Sequence, residues 1–253
     1  MTKVISVMGK DGVGKSTTTI NLGVAFGRKG KKVIVVDASP LGDTATCLLP
    51  LSIKLEGKIK DMVLYESTEQ NVKIIDSIDF ERLIRPFDSL DLYFGLIGLL
   101  EYFNFENYDY IIIDTPSEGY AKSSVFLAAD TLIVPVESSS SLRTLPGVFS
   151  KIEKRKNVKE DADTYHMKRI GGVDNTFILL TSFDSTTQTG KHILKVIGRY
   201  GKTVLDTKIP MDVSFKESAT FDETIFSYNP NCKGAEAYMA LADELISKLE
   251  IEN

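Results

Sequence analysis

The residues best suited to chemistry form one run, Gly9-Lys10-Asp11-Gly12-Val13-Gly14-Lys15-Ser16, set between an apolar stretch from Val4 to Met8 and a helical pattern that begins near Thr17. The spacing is that of a G-x-x-x-x-G-K-[ST] phosphate-binding loop. Glycines here let backbone N–H groups curl around phosphate oxygens. Lys15 can then reach the terminal phosphates of a nucleotide, and the Ser16 hydroxyl is placed to ligate Mg²⁺. The helix behind the loop adds the positive end of its dipole. Gly9 through Thr17 are therefore the candidate nucleotide contacts. A second run, Tyr108 to Ile113 followed by Asp114-Thr115-Pro116, reads as an apolar strand ending in a carboxylate that reaches Mg²⁺ through water; an Asp that merely caps a turn is the alternative.

These groups need elements to hold them. Lys3 to Met8 reads as a buried strand, Lys15 to about Lys29 as a helix with Ile20, Leu22, Val24, Ala25 and Phe26 apolar, and Lys32 to Asp37 as a second buried strand. That is a βαβ unit, with a right-handed crossover and a parallel sheet that binds ligands at its carboxyl edge, where the loop and Asp37 both fall. Further strands are expected at Thr131–Val136, Thr176–Thr181 and Thr203–Ile209, with helices at Leu145–Lys156 and Lys233–Leu249. The last helix has Ala235, Tyr238, Met239, Leu241, Ala242, Leu245 and Ile246 as its inner face. Between Leu48 and Asn107 the signals weaken to short helices near Lys58–Leu64 and Phe80–Ile84 and a strand near Leu90–Phe94. The charge-dense stretch from Lys151 to Arg169 reads as a solvated helix end and loop. The expected class is α/β: a doubly wound, mostly parallel sheet flanked by helices, as one domain over residues 1–253.

Composition narrows the roles. A chain of 253 residues with 43% hydrophobic content can bury one large core, and a net charge of −5 excludes coating nucleic acid by bulk charge. Any DNA contact must be a local patch. Lys191, Lys195, Arg199 and Lys202 supply a candidate: at about 100° per residue they fall within an arc of roughly 80°, opposite Ile193, Leu194, Val196 and Ile197. The same pattern also describes an ordinary solvated helix face. Cys47 and Cys232 lie far apart and suggest neither a disulfide framework nor a zinc site, and His166 and His192 have no partner at catalytic or metal spacing. There is no charged-then-apolar leader and no apolar run of membrane-spanning length, so a cytoplasmic location is expected.

Several features go beyond a generic phosphate loop. Lys10, directly after the first glycine, makes a K-x-G-x-G-K-[ST] arrangement that resembles the deviant Walker A loop of the ParA/MinD family of ATPases. Val36-Asp37-Ala38-Ser39-Pro40-Leu41-Gly42-Asp43 resembles that family's switch segment D-x-D-P-Q-G-N, and Tyr108 to Pro116 is similar to its Y-D-Y-I-I-I-D-x-P. Lys233-Gly234-Ala235-Glu236-Ala237-Tyr238 resembles the closing helix of the ParA branch. The first strand begins at Lys3, leaving no room for an N-terminal DNA-binding domain, and Ser247 to Asn253 lack the basic amphipathic pattern of a membrane anchor. The short, Soj-like ParA branch fits best.

The resemblance implies ATP and Mg²⁺, with the ion held by Ser16 and backed by Asp37 and Asp114. It also implies Lys10 reaching the nucleotide of a partner subunit, and Pro210 and Met211 bordering the adenine. It implies a homodimer formed on ATP binding, nonspecific DNA contact near the Lys191–Lys202 helix, and association with the nucleoid. A ParB-like centromere-binding partner would accelerate hydrolysis, and the biological role would be partition of a plasmid, chromosome or mobile element.

Departures from the pattern fall on the candidate catalytic set of Lys10, Lys15, Ser39 and Asp11. Ser39 stands where the family has the carboxylate that orients the attacking water; a hydroxyl is a weaker acceptor and no base at neutral pH, so intrinsic hydrolysis should be slow. Asp11 stands where the family has glycine. It adds negative charge beside the triphosphate, restricts a backbone that needs positive φ, and weighs against tight dimerisation. Either Asp11 supplies in trans the carboxylate missing at Ser39, or it points to solvent or pairs with a lysine. The family's DNA-contacting arginines are also missing, because the corresponding segments read Asp184-Ser185-Thr186-Thr187 and Ile209-Pro210-Met211-Asp212-Val213-Ser214. An alternative role is an ATP-dependent positioning or regulatory factor that acts on a protein cargo without binding DNA.

Overall fold

Strands covered by helices on both faces have no solvent side, so they read as continuous apolar runs, and such runs form the centre of the computed structural model. It describes residues 2–39, 43–48, 58–59, 62–84, 105–118, 120–162 and 173–250. The chain begins with β1 (Lys3–Val7), α1 (Lys15–Arg28), β2 (Val33–Asp37) and α2 (Asp43–Leu48). Next come β3 (Lys58–Ile59), β4 (Met62–Val63), β5 (Tyr65–Glu66), β6 (Val72–Ile75) and α3 (Ser77–Ile84). The second half has β7 (Tyr110–Asp114), α4 (Tyr120–Ala128), β8 (Thr131–Val136), α5 (Ser139–Leu142), α6 (Leu145–Ala162) and β9 (Asn175–Phe183). It closes with α7 (Gln188–Ile197), β10 (Val204–Pro210), α8 (Ser214–Thr220), α9 (Ile225–Tyr228) and α10 (Lys233–Glu250).

Eight strands form one sheet in the order β10-β9-β8-β1-β7-β2-β6-β5, parallel throughout except for β5. From β1 the chain passes to β2 and out to the edge at β5, returns through β6 and β7, and crosses to β8, β9 and β10 on the other side. The winding reverses beside β1, and a crevice opens at the carboxyl ends of the strands at such a point. The register sets its depth: Val7 and Asp37 both lie opposite Asp114.

Side-chain alternation divides the core between the two faces. Ile133 and Leu179 pack with the apolar residues of α1 and α10. Their neighbours Val134, Val136, Ile178 and Leu180 pack with Leu142, Leu145, Ile193 and Ile197 on the opposite face. On α10, Ala235, Tyr238, Leu241, Ala242, Leu245 and Leu249 are buried, while Met239 and Ile246 flank them partly exposed. Tyr238 reaches through to α1, where its hydroxyl lies 3.2 Å from Thr18 Oγ1. Burial raises the pKa of that phenol, with the Thr18 bond acting slightly the other way, so it remains a neutral hydrogen-bonding group.

The weak middle region is where expectation and structure differ. The helix expected near Lys58–Leu64 is instead the antiparallel pair β3–β4, with Lys58 opposite Val63. In so short a stretch, cross-strand bonding outweighs a weak local helical preference. The helix expected near Phe80 begins at Ser77, and β6 was not anticipated. The strand expected at Leu90–Phe94 lies outside the described residues, as do Pro40, Leu41 and Gly42 of the switch segment. Helix α6 continues to Ala162, beyond the expected end at Lys156. Among the described residues, no helix is long and apolar enough to cross a membrane.

Candidate functional site

The loop between β1 and α1 turns on two glycines in the left-handed region, Gly12 at φ 78° and Gly14 at φ 88°. A side chain in that conformation costs about 1–2 kcal/mol. Asp11 is not among the positive-φ residues. The backbone restriction expected at Asp11 is therefore absent, because the turn falls on its glycine neighbours. Val13 is buried between the glycines and anchors the loop: Thr181 Oγ1, at the end of β9, donates to the Val13 carbonyl at 2.9 Å. From the β8 side, the Met8 N–H donates to the Ile133 carbonyl at 2.9 Å.

Lys15 lies inside this frame. Its Nζ donates to the Lys10 carbonyl at 3.2 Å and to Ser117 Oγ at 3.1 Å, and it forms an ion pair with Asp11 Oδ1 at 3.2 Å. The ammonium side chain is 10% exposed and the carboxylate 78% exposed. Ser117 Oγ also donates to Asp11 Oδ1. Of the alternatives for Asp11, pairing with a lysine is what this structure contains. Lys10 turns the other way, its Nζ donating to Ser140 Oγ at 2.7 Å on α5.

Across the loop stand two buried carboxylates in register. Asp37 Oδ1 accepts from the Ser39 N–H at 3.0 Å, and its Oδ2 from the Ala45 N–H at 2.9 Å, so it holds the switch segment against α2. Asp114 Oδ2 accepts from Thr44 Oγ1 at 2.8 Å. Behind them, the hydroxyls of Ser6 and Thr115 bond at 2.6 Å and fix the start of the loop after β7. Among the described residues no three His, Cys, Asp or Glu side chains converge on a metal position. A divalent cation would thus need Ser16 and ligand phosphates beside the two carboxylates. That all-oxygen arrangement suits Mg²⁺, which is usually held by one or two carboxylates together with phosphates and water.

Lys15, Ser16, Ser39, Asp114, Ser117 and Glu118 face one cavity of about 820 Å³, within the range of small-molecule sites. An adjoining cavity of about 430 Å³ contains Lys10, Lys122 and Lys151 against Asp11 and Glu118. There Lys122 donates to the Ser117 carbonyl. Burial lowers its pKa, as do Lys151 and Lys15, against the opposing pull of Glu118 and Asp11.

Gly9 through Thr17, Asp37, Ser39 and Asp114 are thus brought together at one edge of the sheet. Pro210 ends β10 at the same edge and Met211 follows it, but neither lines the cavity, and Met211 is 72% exposed. Sequence reasoning missed Ser117 and Glu118, although both directly follow Asp114-Thr115-Pro116 and so had to sit at the carboxyl edge. It also missed Thr44, Ser140 and Thr181, whose partners are 70, 130 and 168 residues away in the chain and leave no local signal.

The basic stripe is not one helical face. Helix α7 ends at Ile197 and continues as a 3₁₀ turn over Gly198–Thr203, kinked at Gly201 with φ 54° and ψ −127°. Lys191 and Lys195 share α7, Arg199 sits on the 3₁₀ turn with its guanidinium 5.0 Å from the Tyr200 ring, and Lys202 follows the kink. The expected 80° arc is therefore broken, because a glycine-flanked turn winds tighter than an α-helix. Leu194, expected on the apolar side, is 41% exposed. His192 is exposed, His166 lies outside the described residues, and neither cysteine is disulfide-bonded.

A model of the AAA domain family matches residues 2–165. The sporulation initiation inhibitor protein Soj of Bacillus subtilis is 30% identical over 260 residues, covering 97% of this chain and 98% of that protein. Among solved structures, the septum site-determining protein MinD of Pyrococcus horikoshii, complexed with Mg-ADP, aligns with a TM-score of 0.71 at 22% identity, over 100% of this chain and 99% of that one. Cobyrinic acid a,c-diamide synthase from Mycobacterium smegmatis, with a bound ATP analogue and magnesium, aligns with a TM-score of 0.73 at 21% identity, over 100% and 98% of the two chains. The last two likenesses speak for the fold alone.

Proposed function

The chain belongs to the ParA/MinD family of P-loop ATPases, and from that premise we propose that it binds ATP with Mg²⁺, dimerises over the nucleotide and binds DNA nonspecifically to partition a plasmid, chromosome or mobile element. The observation that carries this reading is the position of Lys15 and Ser16 at the reversal point of the sheet, facing the in-register pair Asp37 and Asp114. Loop amides and the N-terminus of α1 receive the phosphates. Ser16, with Asp37 and Asp114 behind it, would hold Mg²⁺, which would supply positive charge against the phosphate oxygens. Lys15 exchanges Asp11 for a phosphate oxygen, and Lys10 leaves Ser140 for the nucleotide of the second copy. Such a role puts the protein in the cytoplasm, on the nucleoid, with a ParB-like centromere-binding partner that speeds hydrolysis.

Intrinsic hydrolysis is slow in this reading. Ser39 offers only a hydroxyl where an acceptor for the attacking water is needed, and its own N–H is tied to Asp37. Changing Ser39 to Asp should raise the rate of phosphate release; an unchanged rate sinks the assignment. The interrupted basic stripe favours a second reading, a nucleotide-dependent factor that positions a protein cargo without DNA. DNA binding measured with ATP, with ADP and without nucleotide separates the two. Partition requires an ATP-dependent, salt-sensitive signal, and no signal in all three conditions favours the cargo role.

A further inference from the structure

Resting on the reading of this site as an ATPase, we infer that Glu118 supplies the carboxylate that orients and deprotonates the attacking water in place of the one missing at Ser39. Three carboxylates line the cavity: Asp11, Asp114 and Glu118. Asp11 is paired with Lys15 and, separately, accepts from Ser117, which holds it when Lys15 turns to phosphate. Asp114 is 1% exposed, accepts from Thr44, and lies at the metal end. Glu118 is exposed and, among the described residues, makes no hydrogen bond or contact ion pair; Lys122 acts on it only through space.

Its position suits the task. Ser117 Oγ is 3.1 Å from Lys15 Nζ, the group that meets the terminal phosphate. Adjacent Cα atoms are about 3.8 Å apart, so the carboxylate of residue 118, on its two-methylene arm, is within reach of a water beside that phosphate. Ser39 lines the same cavity, so positions 39 and 118 open onto the same space from different loops.

In the reaction, a water oxygen bonds to the terminal phosphorus while the bond from that phosphorus to the bridging oxygen breaks. The bridging oxygen keeps the electron pair and leaves with ADP. A Glu118 oxygen takes the water proton and passes it to the freed phosphate, restoring the carboxylate. Among the described residues nothing in the cavity clamps the Glu118 side chain, so the base is poorly preorganised and turnover stays slow.

The test compares wild type, E118Q, S39D and E118Q/S39D by single-turnover hydrolysis with Mg-ATP, alongside equilibrium nucleotide binding. E118Q should slow the chemical step by about 100-fold with ATP affinity unchanged, and S39D should restore the rate in the E118Q background. A purely structural role for Glu118 would not give that rescue. Wild-type binding and turnover that E118Q leaves unaltered overturn this inference alone. A wild-type chain that binds no ATP overturns the proposed function, and this inference with it.

Discussion

The carboxyl edge around β1 and the outer edge around β10 both carry clustered charge, yet they are built differently. At the first, Lys15, Asp114 and the loop backbone are each held by something distant in sequence: Ser117, Thr44 and Thr181 in turn. At the second, Lys191, Lys195, Arg199 and Lys202 project from an α-helix that gives way to a kinked 3₁₀ turn, and among the described residues the one side chain that engages any of them is Tyr200, beneath Arg199. Preorganised groups recognise one ligand geometry, whereas exposed flexible cations supply attraction that salt screens. The nucleotide end is therefore the specific half of the molecule, and the β10 edge is suited to a partner that presents charge without demanding register.

Removing the preorganised ammonium should give the largest effect. Lys15→Ala is expected to weaken ATP binding by about 10- to 100-fold, from charge-assisted bonds worth about 1.5–3 kcal/mol each, read by titration with a fluorescent nucleotide. An affinity within twofold of wild type would remove the contrast between the two ends. Next comes Gly190→Ala, at the start of α7. The new Cβ would fall 1.9 Å from the Asp184 carbonyl oxygen, a backbone atom that cannot swing aside. A loss of about 1–3 kcal/mol in chemical denaturation is expected, and no loss would mean that the β10 edge is looser than described.

Neutralising Lys195 and Arg199 together should leave ATP affinity unchanged and flatten the log–log salt dependence of DNA binding by about 0.9 for each phosphate that the protein no longer neutralises. Equal slopes for variant and wild type would move the DNA-binding surface elsewhere. The smallest effect concerns Glu244, which accepts hydrogen bonds from the backbone in the middle of β10. Burial pushes its pKa up, but the N–H groups of Thr207 and Asp206, both 2.8 Å away, and the nearby Lys248 pull it below the ordinary value of 4.5. A depressed native pKa stabilises the fold above the unfolded value, and that contribution is lost as pH falls through the native one. Glu244→Gln should therefore be less stable than wild type at pH 7 and should lose less further stability below pH 4.5. Parallel stability curves would argue against that contribution.

Legibility followed the physics of each stretch. Strands β1, β2, β7 and β8 could be read because residues buried on both faces must be apolar at every position, as in Ile111-Ile112-Ile113. Strand β6 could not, since Val72-Lys73-Ile74-Ile75 is too short to tell from a helix turn. The basic stripe was misread because helical periodicity was carried through Gly198 and Gly201, where the backbone changes pitch.

The sequence by itself determined the phosphate loop, its lysine and serine, and the paired acidic strand ends, because backbone turns and buried strands constrain residue type locally. Only the tertiary structure decided that Asp11 pairs with Lys15, that Asp37 ties down the segment carrying Ser39, and that Glu118 opens into the same cavity as Ser39. Those are meetings of side chains on separate loops, brought together by strand order and register, and neither quantity is encoded in any single stretch of the chain.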